Sequence, residues 1–174
     1  MKRSELTDAD CPEFYRGYLD TLPGDADLLE MLERQHRNFP EFILSIPDNL
    51  MGHRYADGKW SVAECLGHVY DAERVFQYRA VCFGRKDATP LPGFDQDTWI
   101  SGNPSREWSR ERHIEEYQAV RKSTLSLFRD FSREDLAYLG TASGNTISLG
   151  AIGFIICGHQ RHHRNIIRSR YLGE

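Results

Sequence analysis

Two histidines stand four residues apart in the run Gly158-His159-Gln160-Arg161-His162-His163. On a helix, residues i and i+4 share a face, with Cβ atoms about 5–6 Å apart. That face carries Ile152, Ile155 and Ile156 above the pair and Ile166, Ile167 and Arg170 below it. Two imidazoles therefore aim into the apolar side of their own helix, and burying them without partners is costly. One divalent cation at about 2.0–2.1 Å from each nitrogen satisfies both. A third imidazole, His68, lies 91 residues upstream on a face with Cys65, Ala72 and Val75. Three neutral imidazoles with one open position is the ligand count of a catalytic rather than a structural zinc site. Spacing alone leaves a second reading equally open, in which these are hydrogen-bonded core histidines with no ion.

Other chemistries find less support. A metalloprotease H-E-x-x-H needs Glu directly after the first histidine, where this chain has Gln160. A di-iron bundle needs two E-x-x-H motifs, and only Glu33 to His36 supplies one. Dinucleotide, nucleotide-triphosphate and serine-hydrolase fingerprints are absent. Cys65 and Cys157 lie within a turn of the proposed ligands and read as packing residues. Asp71 and Glu73, three and five residues after His68, fit a solvated helix face as well as a supporting role, so no catalytic residue is assigned. His36, His53, His113 and His162 read as surface or loop residues.

Four long helical segments must position these groups. The first opens at Asp25 or Asp27 and carries Leu28, Leu29, Leu32, Gln35, Phe39, Phe42, Ile43 and Ile46 at helical spacing. Pro40 predicts a kink or break inside it, and Pro47 ends it. The second starts at a capping box, Ser61 with Glu64, preceded by Trp60 as a hydrophobic staple, and stops at Gly84. From Gly84 to about Trp108, Pro90, Pro92, Gly93, Gly102 and Pro104 exclude a long helix or central strand. Such a long irregular stretch is more often functional than idle; here it reads first as a cover over the bundle end, with Phe94, Asp95, Asp97 and Trp99 as candidate pocket lining. The third helix begins near Ser105 or Ser109 and runs through Phe128. Residues 132–147 form a connector with a turn of helix at Ser132–Asp135, and the fourth helix runs from about Ser148 to Tyr171. No period-two alternation is evident. The expected fold is all-α, an antiparallel four-helix bundle with a long irregular loop between helices 2 and 3.

The chain has 174 residues and 20.1 kDa, enough for one domain spanning 1–174. Mean hydropathy is −0.59, no apolar run approaches the roughly 18 residues of a membrane span, and the first fourteen residues lack the apolar core of a secretory leader. A net charge of −4 and a pI of about 6.0 weigh against a nucleic-acid partner. The basic cluster Arg161, Arg164, Arg168 and Arg170 reads as cations placed at a helix C-terminus. The four cysteines form no C-x-x-C and read as reduced, mostly buried thiols of a cytoplasmic protein.

Three stretches carry a resemblance. The run Arg54–Arg74, with Lys59-Trp60-Ser61 and Gly67-His68 inside it, the segment Pro90–Asp97, and the block Gly158–His163 together resemble the DinB-like (damage-inducible, YfiT-type) superfamily over about residues 15–172. The resemblance implies a four-helix bundle, commonly a homodimer, that binds a divalent metal through three histidines. Matched motif by motif, those ligands fall on His68, His159 and His163. Some relatives look like S-transferases or isomerases that use bacillithiol, mycothiol or glutathione; others are described as metal-dependent hydrolases. The expectation is a zinc or nickel enzyme acting on a small electrophilic substrate, by hydrolysis or with a low-molecular-weight thiol. The alternative is a non-enzymatic stress-response metalloprotein whose ion stabilises the bundle or dimer, closed by a fourth ligand such as Cys65 or Cys157.

Overall fold

Each long helix opens on a side-chain oxygen that takes the orphan N–H groups of its first turn. In the computed structural model, which describes residues 1–174, a short helix α1 (Glu13–Leu19) precedes α2 (Leu28–Ser45), and Asp27 caps α2 by accepting from the amides of Leu29 and Glu30. Helix α3 (Val62–Gly84) starts at the Ser61/Glu64 capping box. Next come α4 (Gln96–Gly102), a 3-10 turn (Pro104–Glu107) and α5 (Arg110–Arg129), capped by Ser109. Helix α6 (Arg133–Leu136) leads into strands β1 (Leu139–Ala142) and β2 (Asn145–Ser148). Ser148 then caps α7 (Leu149–Ile166), which ends in a widened π-type turn, Ile167–Leu172.

The expected four-helix bundle of α2, α3, α5 and α7 forms, with α2 packed on α5 and α7 and α3 packed on the same two, but its neighbouring helices are not all antiparallel. Contacts give the directions. Arg129–Glu33 and Arg110 on the Leu44 carbonyl make α2 and α5 antiparallel. Tyr70–His113 and Gln77–Thr124 make α3 and α5 parallel. Parallel neighbours start at the same end, so the chain after α3 must return along the whole bundle. Pro92 meets Arg79, Asn103 meets Asp71 and Ser105 meets Ala63, so the 85–109 segment retraces α3 from end to start. It is a crossover along the bundle's side and not a cover over its end, and it contains a helix.

Two further expectations are corrected. Helix α2 runs unbroken through Pro40. The 132–147 connector holds an antiparallel hairpin, with Leu139 opposite Ser148 and Ala142 opposite Asn145. Its two-residue loop, Ser143-Gly144, has positive φ at both positions, which suits the right-handed twist of the strands. Helix α1, unread in the sequence, packs on α7.

The apolar interior divides into two clusters, one around Leu32, Phe83, Phe128 and Ile155 and the other around Phe39, Leu66, Tyr117 and Ile167. A buried polar network joins all four long helices. Gln35 on α2 donates to the Cys157 carbonyl on α7 at 2.9 Å and accepts from Arg121 on α5 at 2.8 Å. Arg121 grips Glu73 on α3 through two bonds of 2.7 and 2.9 Å, and the Thr124 hydroxyl donates to Glu73 at 2.6 Å. Glu73 is thus a buried ion-pair member rather than a solvated residue.

Candidate metal centre

Helices α3 and α7 run antiparallel in contact, Cys65 meeting Tyr171 and Phe76 meeting His159, and their facing turns carry His68 on one and His159 and His163 on the other. The three are buried, at 3, 5 and 8% exposure. One ligand atom from each falls within 4.8 Å of the other two, and Nε2 of His68 lies 3.0 Å from Nε2 of His159. Two imidazole lone pairs at that distance repel unless a proton or a cation lies between them. Nitrogens bound to one tetrahedral ion at about 2.1 Å would be about 3.4 Å apart, so the His68–His159 pair needs little adjustment and the third imidazole would close in on the ion. Nδ1 of His163 is buried with no hydrogen-bond partner. Burial holds His68 down at about 4, with the neighbouring His162 adding to it, and it pushes His159 and His163 well below the usual imidazole range. Neutral imidazole is the form that ligates, so the donor set fits a divalent ion.

The surroundings hold these rings in place. Trp60 lies 4.9 Å from His68 between ring centroids and nearly parallel to His163 at 6.5 Å. It is anchored from the π-type turn, where the Tyr171 hydroxyl donates to the Trp60 carbonyl at 2.6 Å. Tyr18 on α1 meets His159 edge-on at 5.2 Å. Its helix approaches because residue 158 is glycine: a Cβ there would overlap the Tyr18 carbonyl. A cavity of about 530 Å³ opens onto His68 and His159. Its walls are Phe14, Tyr15 and Tyr18 of α1, Ala72 and Phe76 of α3, Gly93–Gln96 of the crossover, and Ser143 and Asn145 of the hairpin.

The family model described as the DinB superfamily matches residues 31–167. The chain belongs to the DinB superfamily. It is similar to the Oceanobacillus iheyensis protein named "Putative metal-dependent hydrolase OB0413", 22% identical over 146 residues that cover 82% of this chain and 83% of that protein. Its fold matches YfiT from Bacillus subtilis, described as a probable metal-dependent hydrolase with an unusual four-helix bundle topology, at a TM-score of 0.70 and 16% identity, covering 84% of this chain and 86% of the other.

Within this DinB-superfamily fold, Phe94 and Asp95 line the cavity as the sequence suggested, whereas Trp99 packs on Phe94 at 4.8 Å and borders a neighbouring cavity. Cys65 and Cys157 stay out of the imidazole cluster; all four cysteines are free and buried, and Cys65 Sγ sits 3.5 Å from the Tyr171 hydroxyl. Asp71 accepts from Asn103 at 2.5 Å, away from the imidazoles, and its half-burial raises its carboxyl. His113 is fully buried, not a surface residue, with Nδ1 3.4 Å from the Tyr70 hydroxyl. Sequence reasoning missed Tyr15, Tyr18 and Ser143. The Ser143-Gly144 dipeptide is a turn signal that could have found the last; nothing local marks the first two.

Proposed function

We propose that this protein is a metal-dependent enzyme of hydrolase type, in which His68, His159 and His163 hold one zinc or nickel ion whose remaining position faces the cavity. One observation carries the reading: three buried imidazoles from two helices converge within 4.8 Å, and two of them open onto a cavity sized for a small molecule. A bound ion supplies Lewis acidity there, polarising a substrate oxygen and lowering the pKa of a coordinated water toward 7. The chain itself does the rest. Trp60 and Tyr171 close the far side of the rings to solvent, and Tyr18 and Phe76 fix the plane of His159 from the cavity side. The aromatic wall takes the apolar body of the substrate. The names of the two relatives support hydrolysis over the thiol-dependent alternative. We read residues 1–174 as one domain of this kind, since α1, the crossover and the hairpin all contribute to the one cavity.

Elemental analysis of protein purified without an affinity tag tests the site. About one divalent ion per chain is expected, and His159→Ala should lower that content roughly tenfold or more; equal content in both proteins overturns the assignment. Ester, amide and phosphoester substrates, assayed with and without chelator and with and without added thiol, then separate hydrolysis from transfer.

A further inference from the structure

Two arginines are buried in this protein, and only one is neutralised. Arg121 is clasped by Glu73, but Arg79, at 2% exposure, faces no carboxylate within ion-pair distance. Its guanidinium donates to neutral oxygens: the Pro92 carbonyl at 3.0 Å, the Ser143 hydroxyl at 2.7 Å and the Tyr15 hydroxyl at 3.5 Å. Its Nε is buried with no partner at all. A buried cation without a counter-charge is costly unless something else brings the negative charge.

The two hydroxyls show where that charge would sit. Tyr15 and Ser143 both line the cavity over the imidazoles. Each accepts from Arg79, and neither donates to any protein acceptor. Their protons are left for a ligand, polarised by the cation behind them, as in charge-assisted hydrogen bonding. Asp95, the carboxylate on this wall, is occupied in capping α4, where it accepts from the amides of Asp97 and Thr98 and from the Thr98 hydroxyl. Arg79 also borders the adjoining cavity beside Tyr78, Leu91 and Trp99, but no hydroxyl relays its charge there.

We propose that the substrate of the imidazole cavity carries a carboxylate on an apolar, ring-sized body. The carboxylate is received by the Tyr15 and Ser143 hydroxyls, with Arg79 as the positioning residue behind them. This rests on the cavity being the substrate site of the metal-centre reading. Benzoate, phenylacetate and 3-phenylpropionate, each paired with its uncharged primary amide, serve as probes in calorimetric titrations of the protein as purified. The best-bound acid should bind at least tenfold more tightly than its amide. Arg79→Gln should bring the pair within about twofold while leaving metal content unchanged, and Tyr15→Phe and Ser143→Ala should each weaken the acid about threefold or more and leave the amide unaffected.

Equal affinity for acid and amide, or a preference that survives Arg79→Gln, overturns the proposal, and so does a preference indifferent to Tyr15 and Ser143. A purely structural Arg79 would lower the melting temperature and leave the preference intact. Should Arg79→Gln fail to fold, the two hydroxyl variants decide the matter. If the protein and His159→Ala carry equal metal while the Arg79-dependent preference persists, the metal reading falls and the anion site stands on its own.

Discussion

Both imidazole-bearing helices place a glycine directly before a proposed ligand, and the two glycines make room for different neighbours. At Gly158 the obstacle is the backbone of Tyr18; at Gly67 it is Ser105, whose Cβ would lie 2.7 Å away and cannot rotate clear. Overpacking that only a backbone shift can relieve costs typically 1–3 kcal/mol. Gly158→Ala and Gly67→Ala should therefore each lower stability by about 2 kcal/mol in urea denaturation, and the first should also loosen α1 from His159. A Gly158→Ala protein as stable as the parent would contradict this packing. Burial also makes pH matter. It holds His113 and His68 down at about 4, whereas in the unfolded chain each takes a proton near 6.5. As pH falls through that window the unfolded state binds protons that the folded state refuses, so stability is highest above 6.5 and declines toward 4. One imidazole so displaced corresponds to roughly 3 kcal/mol. Chelator-treated protein should show a urea midpoint that falls steadily from pH 7 to 4.5, and His113→Asn, away from the metal centre, should flatten the slope. A midpoint unchanged over that range would refute the argument.

Among the elements, the bond network through Gln35, Arg121, Glu73 and Thr124 ties α2, α3, α5 and α7 near Cys157, a short step from His159. Removing one partner of a buried ion pair typically costs 3–5 kcal/mol because the other charge is stranded, while replacing both by apolar residues is often nearly neutral. Arg121→Met should accordingly destabilise by about 4 kcal/mol, and Glu73→Leu combined with Arg121→Met by much less. Chemical denaturation of the two single variants and the double variant decides it, and additive losses would rule out the coupling. The sequence could not show this network, because Glu73 has the spacing of a wet helix face and its partner lies 48 residues away. Caps and stripes were legible because they are local: Asp27, Ser61, Ser109 and Ser148 each sit where an apolar period begins. The i,i+4 pair in α7 was legible for the same reason. The hairpin escaped because its strands are four residues long and its turn is Ser-Gly rather than Asn-Gly. Helix α1 escaped because seven residues give too few periods to read.

At the scale of the whole molecule, the direction of α5 decides what the crossover must be. Helix α3 has 23 residues and is roughly 34 Å long, and α5 begins beside its start rather than its end. At about 3.3 Å per extended residue, the return needs about ten or eleven residues. The segment 85–109 exceeds that minimum, and the surplus is folded into α4 and the cavity wall of Gly93–Gln96. Reach and site-building are therefore separable demands on one stretch of chain. Replacing residues 94–103 by a four-residue Gly-Ser linker leaves length to spare, so the bundle should keep its cooperative urea transition and its metal content while losing Phe94 and Asp95 from the cavity. Replacing 85–109 by six residues spans at most about 20 Å, too little to bring α5 alongside α3 in the same direction. That variant should lose the single transition, and with it the Arg121–Glu73 clasp and the facing imidazoles. If it kept both the transition and the bound metal, the parallel α3/α5 pairing would be wrong, because a six-residue connection can join only helices that run in opposite directions.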